Sequence, residues 1–141
     1  MTNSLESFIS SPSRNHIVFS NGRLDNLQYL DVGLELSTGV EDILSDRRLS
    51  MKSQDILNRL FSDCTNSSPV YGSYLAIENV GILFEPLLKL DIMALLNKWS
   101  QNNLLVVNMG KGCVANETFY LVDGDSRCTI NLHTFNYIVT D

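Results

Sequence analysis

The sequence predicts an α/β fold, a small parallel-sheet core with flanking helices and short C-terminal strands. Three observations predict it. Tyr74-Leu75-Ala76-Ile77 is a nearly continuous apolar run, which suits a strand buried on both faces of a parallel sheet. Leu88, Ile92, Leu95, Leu96 and Trp99 fall at helical spacing, the strongest helical signal in the chain. The order strand, strand, helix, strand, helix, strand packs most naturally as parallel strands joined by crossovers.

The elements follow in order. Residues 1–14 are serine-rich and read as a flexible N-terminal arm, leaving 15–141 as a single α/β domain. His16 to Phe19 is a short apolar strand, ended by the turn signal Ser20-Asn21-Gly22. Leu27 to Val32 is a second strand, and Leu34 to Ser37 continues its alternation. A short helical segment is expected around Val40 to Leu44. Ser50 or Ser53 can cap the next helix, whose buried stripe is Ile56, Leu57, Leu60 and Phe61. Thr65 to Pro69 breaks the chain, and Val70 to Ile77 is the clearest strand. Pro86 suits the first position of the main helix, which is expected to run to Trp99 with Ile92 at its centre. Leu104 to Val107 is another apolar strand. Beyond it the alternation predicts two or three small strands, with Asp123-Gly124 as a hairpin turn.

Bulk composition narrows the function. The chain has 141 residues, one domain's worth, with 44% hydrophobic and 18% charged residues. Its net charge is −6, which disfavours binding to free duplex nucleic acid. Arg47, Arg48 and Lys52 cluster, as a solvated surface would. No apolar run approaches the ~20 residues that span a bilayer. The polar N-terminus lacks a secretory pattern, so a cytoplasmic location and no membrane contact are expected. Cys64, Cys113 and Cys128 are odd in number and widely spaced, so no disulfide framework and no metal site is indicated; they are expected as buried small hydrophobes.

A nucleotide site would be the first expectation for such a fold. The phosphate-binding loop GxxxxGK[ST] offers backbone N–H groups to phosphates, a lysine to the terminal phosphates and a hydroxyl to Mg²⁺. After the first strand this chain has Ser20-Asn21-Gly22-Arg23-Leu24-Asp25-Asn26, with one glycine and no lysine. The second strand follows too soon for a crossover helix. Met109-Gly110-Lys111-Gly112 contains a Gly-Lys pair, but Leu105 stands where the motif needs its earlier glycine, so a glycine-rich turn is expected. The two histidines, His16 and His133, belong to no GxSxG or HExxH pattern. No catalytic residue, nucleotide-binding residue or cofactor is assigned.

One resemblance bears on function. Asp31 to Ser37, Leu75 to Asp91, Leu95-Leu96 and Ser100-Gln101-Asn102 resemble BrxF, the small P-loop protein of type 3 BREX anti-phage defence systems. The likeness covers about residues 29 to 110. It implies a P-loop NTPase-derived fold in which Glu78 and Asn79 occupy a degenerate Walker B position. It also implies that the phosphate loop and first helix are deleted between Phe19 and Tyr29. Asn108-Met109-Gly110 departs from the family's aromatic-Gly pattern. The expectation is a non-enzymatic accessory or scaffold subunit of a bacterial defence complex, working through a protein partner or a homo-oligomer. The alternatives are a nucleotide-dependent ATPase-like regulator, which would borrow a lysine or use Lys111, and an element-encoded decoy of a defence subunit. A possible interface is Phe84, Leu87 and Met93, if the C-terminal strands leave them uncovered.

Overall fold

Alternate residues of the apolar runs serve two cores. Ile17, Phe19, Leu75, Ile77, Leu105 and Val107 are buried on one face of a sheet. Val18, Tyr74, Ala76, Leu104 and Val106 are buried on the other. The computed structural model describes residues 2–123 and 126–140. Its main sheet holds five parallel strands: β1 (Ile17–Ser20), β2 (Tyr29–Asp31), β4 (Gly72–Glu78), β5 (Leu104–Asn108) and β9 (Tyr137–Thr140). They lie in the order β2-β4-β5-β1-β9, and a short antiparallel β3 (Asn66–Ser68) joins the amino half of β4. A second, antiparallel sheet is made of β6 (Cys113–Ala115), β7 (Thr118–Asp123) and β8 (Ser126–Asn131). The mixed α/β class, the mostly parallel sheet and the short C-terminal strands match the sequence expectation.

The helices are α1 (Thr2–Ile9), α2 (Val32–Val40), α3 (Leu49–Cys64) and α4 (Ile92–Gln101). The larger core takes Leu36 from α2, Leu57 and Phe61 from α3, Leu95 and Leu96 from α4, and Phe119 and Ile130 from the second sheet. All connections from β2 through β9 run toward the β9 edge on this face. The β1–β2 link runs the opposite way, and right-handed crossing therefore puts it on the opposite face. Leu24 and Leu27 of that link pack there, beside Leu5, Phe8 and Ile9 of α1.

The link has no helix because it needs none. Tyr29 is level with Ala76, Val106 and Val18, so β2 begins only two residues below the end of β1. The chain must cross β5 and β4, about 15 Å, and Asn21 to Gln28 extended reaches roughly 27 Å.

Several elements differ from the sequence expectation. Residues 2–9 form α1, with Leu5 buried, where an arm is expected. The stretch after β2 is helix rather than continued strand, because Asp31 accepts the N–H of Leu34 at 2.9 Å and caps α2. Neither Ser50 nor Ser53 caps α3; both lie inside it, and Ser53 is buried with its hydroxyl unpartnered among the described residues. The main helix starts at Ile92, not near Pro86, since Lys89 has φ 49° and Asp91 caps the N–H of Ala94 at 3.0 Å. Leu95 and Leu96 are buried on α4, whereas Ile92 sits half-buried at its first turn. The last strand, β9, is an outer strand of the main sheet beside β1. Of the Asp123-Gly124 turn, Asp123 pairs with Ser126, and Gly124 lies outside the described residues. Cys113 is exposed and Cys64 and Cys128 are half-buried, so none is a fully buried apolar residue; all three are free thiols.

A polar knot closes the amino end of the sheet. Buried Asn15 donates to Ser100 Oγ at 3.0 Å and to Asn97 Oδ1 at 3.2 Å, and its N–H reaches Asn136 Oδ1 at 3.3 Å. Ser100, within the Ser-Gln-Asn stretch that carries part of the resemblance, is wholly buried in this knot. No helix among the described residues is long and apolar enough to cross a membrane.

Candidate functional site

In open α/β sheets, ligands bind outside the carboxyl ends of the strands, where neighbouring connections diverge. Here that place lies over β1, β5 and β4. It brings together Ser20, Arg23, Glu78 and Asn108, with Asp31 and Asn79 beside them.

The chain fills the place itself. Arg23 Nε donates to Glu78 Oε1 at 2.7 Å, and its Nη2 donates to Glu78 Oε2, a two-pronged ion pair. The guanidinium also lies 5.4 Å from the centre of the Tyr29 ring. Asn108 Oδ1 accepts the N–H groups of Gly22 at 3.2 Å and Gly110 at 3.1 Å. Its Nδ2 reaches Glu78 Oε1 at 3.4 Å. Asn21 N–H donates to Thr140 O at 3.1 Å, and Leu24 N–H to Tyr29 Oη at 2.8 Å. The Ser20 hydroxyl donates to Gly22 O at 2.7 Å. A phosphate cradle requires a run of N–H groups aimed outward. In this link the N–H groups of Asn21, Gly22 and Leu24 are all spent on the protein.

Electrostatics follows from these contacts. The Arg23 side chain holds the Glu78 carboxyl below its ordinary range, against the opposing effect of burial. Glu78 is 16% exposed and Arg23 63%, so the pair is a lid at the surface rather than a buried bridge. The Leu34 N–H, and then Asn79, depress Asp31. Asn79 itself has φ 54° and donates to Asp31 Oδ1 at 2.8 Å. A Cβ on Gly33 would fall 2.2 Å from Asn79 Nδ2, so Gly33 leaves the room that amide occupies. Burial raises the Tyr29 phenol.

These carboxylates give acid sensitivity of defined sign. In the unfolded chain Glu78 and Asp31 take up protons near their ordinary values, about pH 4. Folded, they stay ionised to lower pH. Their stabilisation is therefore present above about pH 5 and is lost as pH falls through the folded values. Glu78→Gln should melt below the native chain at pH 7, and the gap should narrow toward pH 3 as the native chain's carboxylates protonate. Parallel melting curves across that range would contradict the ion pair.

The Gly-Lys pair is a turn. Gly112 N–H donates to Met109 O at 2.8 Å, Gly110 takes φ 56°, and Lys111 is exposed between them. In the basic cluster, Lys52 is paired with Asp46 at 2.5 Å, and Asp46 also accepts the Arg48 N–H at 2.7 Å. Among the described residues no group of three or more His, Cys, Asp or Glu side chains is placed to hold a metal.

The three apolar candidates separate. Leu87 and Met93 are 55% and 40% exposed, and Met93 lines a groove formed by Lys89 to Met93 and Thr129 to Asn131. Phe84 is half-buried, stacked on Phe119 with ring centres 6.3 Å apart. Leu87→Ser and Met93→Glu should each change stability by less than about 0.5 kcal/mol, whereas Phe84→Ser should cost about 2 kcal/mol. Urea denaturation of the three variants checks this; equal losses at all three would mean the whole patch is core.

Sequence reasoning placed Glu78 at this end of the sheet but missed Arg23 and Asn108, which lie 55 and 30 residues from it. The one available signal was an arginine in a link too short for a crossover helix. No protein-family model matches the chain, and no curated protein or solved structure matches it either.

Proposed function

We propose that the chain is a non-catalytic accessory subunit of a bacterial anti-phage defence complex, a BrxF-like, P-loop-derived domain that has exchanged its nucleotide site for an internal clasp. Its work is done in the cytoplasm through protein contacts, without free duplex DNA. The observation that carries this reading is the Arg23–Glu78 pair, which sits with Asn108 where a nucleotide's phosphates and metal would lie. A carboxylate matched to a guanidinium has its charge already met, and reopening it for Mg²⁺ would cost the ion pair and the hydrogen bond from Asn108 Nδ2.

Calorimetric titration with Mg²⁺-ATP should give no binding at micromolar concentrations. Micromolar, Mg²⁺-dependent binding would overturn the non-catalytic reading and favour the regulator that uses Lys111. Phage plating on cells carrying the chain and its neighbouring genes tests the defence role. Deleting the chain should lower protection. Higher protection after deletion identifies the decoy instead, and unchanged protection removes the defence role.

A further inference from the structure

The two edges of the main sheet are built differently. At one edge β2 has three residues, and β3, Asn-Ser-Ser, covers the rest of β4 and leads into Pro69. Short, polar and proline-flanked strands are how proteins protect an edge. At the other edge β9 reads Tyr-Ile-Val-Thr, with no charge, proline or glycine. Val139 on it is 49% exposed.

The hydrogen bonds of β9 show which groups are left over. Ile17 N–H donates to Asn136 O, and Asn21 N–H to Thr140 O, so the even-numbered residues of β9 face β1. In a parallel ladder the alternate residues turn both backbone groups the other way. Tyr137 and Val139 therefore present N–H and C=O outward, and among the described residues nothing bonds to them.

We propose that this edge pairs with the same edge of a second copy of the chain, antiparallel, about a two-fold axis at Ile138. That register sets Tyr137 of each copy opposite Val139 of the other. Each such pair exchanges two backbone hydrogen bonds, four in all, and satisfies every outward group of the two residues. It also lays an aromatic ring on a half-exposed β-branched side chain, a favourable cross-strand pair made twice by symmetry. On the opposite face, Ile138 meets its own counterpart; it packs on the same buried cluster as the half-buried Phe8 and Ile9 of α1. The occupant is a second copy because this register is self-complementary: Tyr137 and Val139 supply both halves of each pair. The proposal rests on the accessory-subunit reading for its biological role alone; the plating and pairing experiments can fail independently.

Sedimentation of the full chain over a concentration series should show a monomer–dimer equilibrium. Val139→Lys should weaken association by about tenfold by removing both aromatic–valine pairs, while the melting temperature at concentrations too low for the dimer holds. Register is tested in a background with Cys64, Cys113 and Cys128 changed to serine. Ile138→Cys should form a disulfide-linked dimer on mild oxidation, because residues facing each other on the axis have Cα atoms about 4.5 Å apart, within disulfide range. Val139→Cys should not, since each copy's residue 139 faces 137. A native chain that stays monomeric, a dimer indifferent to Val139→Lys, or cross-linking through 139 in place of 138 would each overturn the proposal.

Discussion

Replacing Phe19 with alanine is expected to cost about 3–5 kcal/mol, the largest single loss of any side chain considered. Phe19 is 1% exposed on β1, an interior strand of the main sheet. Its ring stacks on Phe119 at 5.5 Å and meets Tyr137 edge-on at 5.9 Å. It therefore joins three pieces that are far apart in sequence: the first strand, the second sheet and the last strand. A cavity of about 20 Å³ already lies beside it, lined also by Ile77, Leu96 and Val107, so there is little slack to refill the space. A domain of this size has about 5–15 kcal/mol in total, so the variant should be marginal at 25 °C. Urea denaturation measures it. Ile92→Ala, at the half-buried start of α4, should cost less, about 1–2 kcal/mol. If the two variants lose equally, the core is centred on the helix rather than on the sheet. Phe119→Ala combined with Phe19→Ala should lose less than the sum of the single losses, by about 1 kcal/mol, because the stacked pair is removed once.

What the sequence made legible was burial and local period. The runs at Ile17–Phe19, Tyr74–Ile77 and Leu104–Val107 are strands buried on both faces; continuous apolar character predicts this for Tyr74–Ile77 and predicts the other two as short apolar strands. The order in which they lie side by side depends on pairs such as Val18 with Val106 and Val18 with Ile138, which no local pattern encodes. The segment of α2 shows how a period misleads. Val32, Leu34 and Leu36 alternate as in a strand, and Gly33 and Gly39 lower helix propensity. Yet Leu34 is 58% exposed, while Val32, Leu36 and Val40 are buried at helical spacing, and one cap at Asp31 starts the turn. The same limit hid the clasp. Glu78 could be placed at a strand end by its neighbours, but the arginine that neutralises it comes from the link after β1, with β5 lying between β1 and β4.

Gly112→Ala should destabilise the chain by about 1–3 kcal/mol, for a reason unconnected with phosphate. A Cβ at Gly112 would lie 2.8 Å from Phe119 Cζ, 2.9 Å from its Cε1 and 2.9 Å from the backbone oxygen of Tyr120. Phe119 is 1% exposed and held between Phe19 and Phe84, so its ring has nowhere to go. Tyr120 belongs to the β6–β7 ladder opposite Cys113, so its oxygen can retreat only by disturbing that pairing. Gly110 makes the contrast. Nothing lies within 4 Å of a Cβ there, but its φ of 56° would cost an alanine about 1 kcal/mol. Lys111 between them is exposed, and Lys111→Ala should change stability by less than about 0.5 kcal/mol. The expected order of loss in denaturation is therefore Gly112→Ala, Gly110→Ala, Lys111→Ala. Phe119→Leu should recover part of the Gly112→Ala loss by removing the ring, and not all of it, because the backbone oxygen remains in place. A neutral Gly112→Ala would mean that the turn does not press on Phe119. The second glycine of Gly-Lys-Gly would then have no packing role, which would favour contact of this turn with a ligand.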